Sequence, residues 1–224
     1  MKIIYFLLLG LLVMSCDTTK EIKPIAENEY RYLALGDSYT IGESVSESGR
    51  WPAQLRDSLE ARGNTFGAYK IIAKTGWRTD DLSNAMDREN LTNDYNLVSL
   101  LIGVNNQFQG RSVEDYKPEF EALLNRAVTL AGGEKENVIV VSIPDYAFTP
   151  FGQGRNSSKI TEELIIYNNA CKQITIDNDI KHIDITPISL RGIDEPNLVA
   201  SDGLHPSADQ YTLWVREILD QYFN

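Results

Sequence analysis

The chain reads as a single α/β domain, a parallel sheet of five strands with helices packed on both faces. Three observations predict it. Short apolar runs alternate with segments of helical periodicity along most of the sequence. The runs mostly lack the apolar–polar alternation of a half-exposed strand, as expected for strands covered on both sides. The length of 224 residues suits one domain with a sizeable core. This ordering of elements gives parallel strands joined by helical crossovers, and functional groups then gather at the carboxyl ends of the strands.

The N-terminus stands apart from that pattern. Lys2 precedes an apolar run of 12 residues at 3–14. A membrane span needs roughly 20 residues, so the run suits the core of a secretory signal peptide. Val13-Met14-Ser15-Cys16, followed by the polar stretch 17–21, resembles a bacterial lipobox. That resemblance implies cleavage before Cys16 and a diacylglyceryl anchor on its thiol. Residues 1–15 are then a lipoprotein signal peptide, 16–29 the lipidated cysteine and its tether, and 30–224 the folded domain. A plain signal peptide with an incidental cysteine is the alternative.

Five strands are expected at 32–35, 70–73, 97–102, 138–143 and 182–185. A helix at 51–62 stops at Gly63. Thr79 caps a short helix with Leu82, Ala85 and Met86 inward. Ser112 caps a longer one whose apolar stripe, from Val113 through Tyr116 and Phe120 to Val128, ends at Gly132-Gly133. Ser157 or Ser158 opens the next, which carries Ile160, Leu164, Tyr167, Cys171 and Ile174 on one face. Cys171 reads as a small buried hydrophobe. Ser207 and Gln210 form a capping box for the last helix, which buries Tyr211, Trp214, Val215 and Ile218. Residues 146–156 read as a long polar loop facing substrate.

Four fragments carry chemistry, each at a strand end or in the loop before the final helix. Gly36-Asp37-Ser38 sets a serine after a tight turn, although such residues are also common turn formers. Lys74-Thr75-Gly76-Trp77 follows the second strand, and Gly76 allows its amide close to a substrate oxygen. Gly103-Val104-Asn105-Asn106 follows the third, where Asn105 can donate a hydrogen bond into the same cleft. Two such donors suit a developing oxyanion. Asp202 and His205, three apart, place a carboxylate beside one imidazole nitrogen and leave the other as a base. His182 lies among Ile180, Ile183 and Ile185 and reads as a packed or surface residue.

In order, these fragments supply Ser, Gly, Asn and Asp-x-x-His. The pattern resembles the SGNH (GDSL-like) hydrolases and spans nearly the whole mature domain. The resemblance implies a three-layer α/β/α sandwich with a five-stranded parallel, flavodoxin-like sheet. It implies Ser38 as nucleophile, His205 as base and Asp202 as its orienting partner. It assigns the oxyanion hole to the Ser38 amide, the Gly76 amide and the Asn105 side chain. The third block of that family usually ends in Asp, where this chain has Asn106. The Gly-x-Ser-x-Gly elbow of ordinary α/β-hydrolases is missing from the sequence.

The expected function is hydrolysis of a carboxylic ester through an acyl-enzyme on Ser38, with acetylated carbohydrate as a favoured substrate, and no metal or organic cofactor is implied. An acyltransferase to a glycan acceptor, or a non-catalytic envelope binding protein of the same fold, are the alternatives. Tyr39, Trp51, Trp77, Tyr146, Phe148 and Phe151 are the aromatics expected near the cleft. The expected partners are a small-molecule or glycan ester and, through the lipid on Cys16, a bacterial envelope membrane, periplasmic or surface-exposed. With 21 basic against 32 acidic residues and a net charge of −11, the chain offers no nucleic-acid footprint.

Overall fold

A computed structural model describes residues 29–223. The expected signal peptide, Cys16 and nearly all of the tether lie outside the described residues. Five strands form one parallel sheet: β1 (Tyr30–Gly36), β2 (Phe66–Ala73), β3 (Leu97–Leu101), β4 (Val138–Val141) and β5 (Lys181–Ile183), in the order β2-β1-β3-β4-β5. Between and after them run α1 (Ser38–Ile41), α2 (Trp51–Ala61), α3 (Thr79–Asp87), α4 (Val104–Phe108), α5 (Val113–Leu130), α6 (Pro150–Gln153), α7 (Ser157–Asp177), α8 (Thr186–Ser189) and α9 (Ala208–Tyr222).

The α/β class and the parallel sheet are as the sequence predicts. Tyr32, Leu33, Ala34 and Leu35 of β1 are fully buried, which requires cover on both faces of the sheet. α2 packs on α9, while α3, α5 and α7 stack in a row. These two groups are the outer layers. Strand order reverses between β1 and β3, each of which continues into a one-turn helix. The crevice at such a switch point is where open α/β sheets bind ligands.

Several boundaries differ from the sequence reading, for local reasons. β4 ends at Val141 because Asn168 of α7 takes both backbone groups of Ile143. Its Oδ1 accepts from the Ile143 amide and its Nδ2 donates to the Ile143 carbonyl, both at 2.8 Å. β5 starts one residue early and stops at Ile183, since the amide of Ile185 donates to Ser142 Oγ rather than to a strand. The N-terminus of α3 is held by Asp81, which accepts from the Arg78 amide, so Thr79 is not its cap. Asn156, not Ser157 or Ser158, caps α7. Ser207 Oγ does accept from the Gln210 amide, but the Gln210 side chain turns away to the Leu198 carbonyl. Segment 146–156 is no open loop: it folds into a 3-10 turn (Tyr146–Phe148) and α6, with Tyr146 and Ala147 buried.

Cys171 is buried, as expected, and burial pushes its thiol up to about 12. Among the described residues no helix is long and apolar enough to cross a membrane.

Candidate active site

The turn that carries Ser38 is built from the residues on either side of it. At Gly36 the chain passes so close to Thr40 and β3 that a Cβ would lie 2.2 Å from Thr40 Oγ1 and 2.4 Å from the Leu101 carbonyl oxygen. Only glycine fits there. Asp37 caps α1 by accepting from the Tyr39 amide at 3.0 Å. It is wholly buried, and burial pushes its carboxyl up to about 7 against the pull of its backbone hydrogen bonds. Ser38 is the first residue of α1 and is 4% exposed. Among the described residues its hydroxyl makes no hydrogen bond.

The loop before α9 presents His205. Ala200 donates from its amide to the His205 carbonyl at 2.7 Å, and Gly203 to the Ala200 carbonyl at 3.0 Å, closing the loop on itself. His205 Nδ1 lies 2.6 Å from Asp202 Oδ2. Asp202 Oδ1 accepts from the amides of Leu204 and His205, and Ser44 Oγ donates to Oδ2 at 2.6 Å. Partial burial pushes the Asp202 carboxyl up. The bonds from Ser44, the His205 ring and the two amides outweigh that and hold it well below the usual carboxylate range. An ionised carboxylate only accepts, so Nδ1 carries the proton and Nε2 is the basic nitrogen of neutral His205.

Gly76 and Asn105 approach from the ends of β2 and β3. Gly76 has φ +86, a left-handed conformation, and its open side has no atom within 4 Å of a hypothetical Cβ. Asn105 Nδ2 donates to the Trp77 carbonyl at 2.9 Å, and Gln109 Nε2 to the Gly76 carbonyl at 3.2 Å. These bonds fasten the Gly76 turn to α4. An amide nitrogen carries two hydrogens, so Asn105 retains a second donor.

Ser38, Gly76, Asn105 and His205 line one cleft of about 240 Å³. Asp202 stands behind His205 rather than in the cleft. Of the six expected aromatics, Tyr39, Tyr146 and Phe151 line it. Trp51 is fully buried in the core, and Trp77 and Phe148 pack against the core and are not among the residues lining the cleft. Sequence reasoning missed Phe108, which is 51% exposed and reaches the cleft one helical turn after Asn105. Its i+3 spacing from Asn105 places it there only once α4 is helical, and so short a turn leaves no period in the sequence. It also missed Ser44, which lies in a polar run with nothing to single it out.

Asn106 does not enter the cleft. It is wholly buried, accepts from the Thr79 amide at 3.1 Å and donates to Thr79 Oγ1 at 2.7 Å. Thr79 Oγ1 in turn donates to Glu119, which also accepts from Arg111. Its amide thus does what a charged carboxylate could not, donating as well as accepting. Among the described residues no three His, Cys, Asp or Glu side chains cluster as a metal site.

Residues 34–213 match the model of the GDSL-like lipase/acylhydrolase family. No curated protein sequence matches the chain. The fold is similar to that of several solved structures. The acetylxylan esterase Axe2 of Geobacillus stearothermophilus is 18% identical over 88% of this chain and 96% of that one, with a TM-score of 0.67. A lipase/acylhydrolase of Enterococcus faecalis is 20% identical over 85% and 94%, with a TM-score of 0.65. The psychrotrophic esterase EstA of a Pseudoalteromonas species is 17% identical over 86% and 96%, with a TM-score of 0.61.

Proposed function

Because this chain belongs to the GDSL-like lipase/acylhydrolase family and is a carboxylic ester hydrolase, we propose that it works through an acyl-enzyme on Ser38. The observation that carries the proposal is the shared cleft, in which Ser38 and the Asp202-oriented His205 meet Gly76 and Asn105. Ser38 Oγ attacks the ester carbonyl as His205 Nε2 takes its proton. The amides of Ser38 and Gly76, with Asn105 Nδ2, receive the oxyanion. As the intermediate collapses, His205 returns the proton to the leaving alcohol. It then draws a proton from water as the water oxygen attacks the acyl group, and passes that proton to Ser38 Oγ as the acid leaves.

The substrate in this reading is a short-chain ester of a carbohydrate. The cleft is small, and its rim carries Phe108 and Phe151 as surfaces for stacking on a sugar ring. The fold-similar Axe2 is an acetylxylan esterase, which is consistent with the reading. In the same proposal Cys16 carries a lipid that tethers the domain to the bacterial envelope. The apolar run 3–14 and the polar segment after Cys16 support that placement.

Covalent labelling by a fluorophosphonate tests the core of the proposal. Wild-type protein becomes modified at Ser38, whereas Ser38→Ala stays unmodified and loses ester hydrolysis. Asn105→Ala lowers kcat on the order of a hundredfold. A folded wild-type protein that resists the reagent, or an Asn105→Ala variant with undiminished turnover, contradicts the corresponding role.

A further inference from the structure

The corner that leaves α1 sends two consecutive side chains to two other parts of the site. Glu43 accepts from Thr75 Oγ1, beside Gly76. Ser44 donates from Oγ to Asp202 Oδ2 across 158 positions of sequence, at 2.6 Å. That oxygen is the one facing His205 Nδ1. Of the hydrogen bonds Asp202 accepts among the described residues, those from Leu204 and His205 arise within its own loop, and only that of Ser44 comes from outside. Ser44 also holds φ +65, a left-handed conformation that disfavours residues other than glycine. Glycine would relieve that strain but could not make the bond.

We infer that Ser44 is a positioning residue: its hydroxyl ties the Asp202–His205 loop to the turn bearing Ser38 and so fixes the imidazole relative to the nucleophile. The inference rests on the reading of Ser38 and His205 as the reacting pair. Ser44 is not among the residues lining the cleft, so it acts through Asp202 and not on substrate. Two amides already hold Asp202 Oδ1, which leaves the direction of Oδ2 as the freedom that Ser44 removes. A base displaced by a fraction of an ångström loses alignment in the transition state while ground-state binding persists.

Two variants separate the hydroxyl from the backbone. Ser44→Ala deletes the bond and keeps a Cβ at positive φ, whereas Ser44→Gly deletes the bond and relieves the strain. With a soluble nitrophenyl ester, both lower kcat about tenfold with KM nearly unchanged. Both slow fluorophosphonate labelling of Ser38 by a similar factor. Ser44→Gly stays fully folded at the assay temperature, as its melting curve shows, so its lost turnover does not reflect lost folding. Wild-type kcat in Ser44→Gly overturns the inference, as does a raised KM at unchanged kcat or a rate loss that merely follows a lowered Tm. If wild-type protein itself is not labelled at Ser38, the underlying reading fails. If it is labelled and Ser44→Gly is labelled as fast, only the role of Ser44 falls.

Discussion

Phe108 shows how much a single exposed side chain can decide. It lies at the cleft rim with ring centroids 6.1 Å from Tyr146 and 6.3 Å from Phe151, and Arg155 lies over the Phe151 ring at 3.4 Å. Half of Phe108 already faces water, so removing it takes little from the core. Phe108→Ala should lower folding stability by only about 1 kcal/mol, the loss of its half-buried surface and ring contacts. If the proposed carbohydrate ester is the substrate, the variant should raise KM for acetylated sugars about fivefold, the equivalent of one aromatic contact of roughly 1 kcal/mol. Steady-state kinetics on an acetylated oligosaccharide, set beside a melting curve, checks both halves. An unchanged KM would remove Phe108 from the substrate surface. Asn106 carries a complementary lesson: its position in the motif was legible, but not that it looks away from the cleft to serve Thr79.

At the scale of elements, the cleft depends on one-turn helices that continue β1 and β3. α4 brings Asn105 and Phe108 to the cleft together, and its entry is set by Gly103, whose φ is +133. A Cβ there would stand 2.8 Å from Tyr116 Cε2 and 2.9 Å from Ile143 Cδ1, both buried atoms of the core. Neither ring nor methyl can retreat without disturbing a close-packed layer. Gly103→Ala should therefore lose about 2 kcal/mol of stability and lower kcat as Asn105 moves off line. Urea unfolding measured with turnover tests this, and wild-type values for both would mean the layer yields more easily than its packing implies. Turns of four or five residues leave almost no periodic signal, which is why α1, α4, α6 and α8 were not anticipated while the long helices were.

Across the whole molecule, two titratable groups shifted by burial give stability opposite dependences on pH. Asp37 is pushed up to about 7 by burial, so between about pH 4 and 7 the folded state keeps a proton that the unfolded state releases. Stability from this group is lost as pH rises through that window. His182 is half-buried and is pushed down to about 4 by burial, so between about pH 4 and 6.5 only the unfolded state binds the proton. Stability from His182 rises with pH over that range, and the two slopes largely cancel. Variants expose them. The stability of Asp37→Asn relative to wild type should grow by up to about 4 kcal/mol from pH 4 to 7 and then level off. That of His182→Gln relative to wild type should decline by up to about 3 kcal/mol from pH 4 to 6.5. Denaturant unfolding across this range measures both differences, and a flat difference for either variant refutes the corresponding burial argument.

What the sequence by itself determined is the part written in spacing: five apolar strands, the long amphipathic helices, and four polar fragments in the order that marks the family. Burial of a strand or a helix face is a local property repeated along the chain, so it leaves a period that can be read. Tertiary structure alone decided the ends of β4 and β5, the turn of Asn106 towards Thr79, the place of Phe108 at the rim and the bond from Ser44 to Asp202. Each depends on a side chain meeting a partner far away in sequence. No local period records such a meeting, because it exists only once the sheet has brought the loops to one edge.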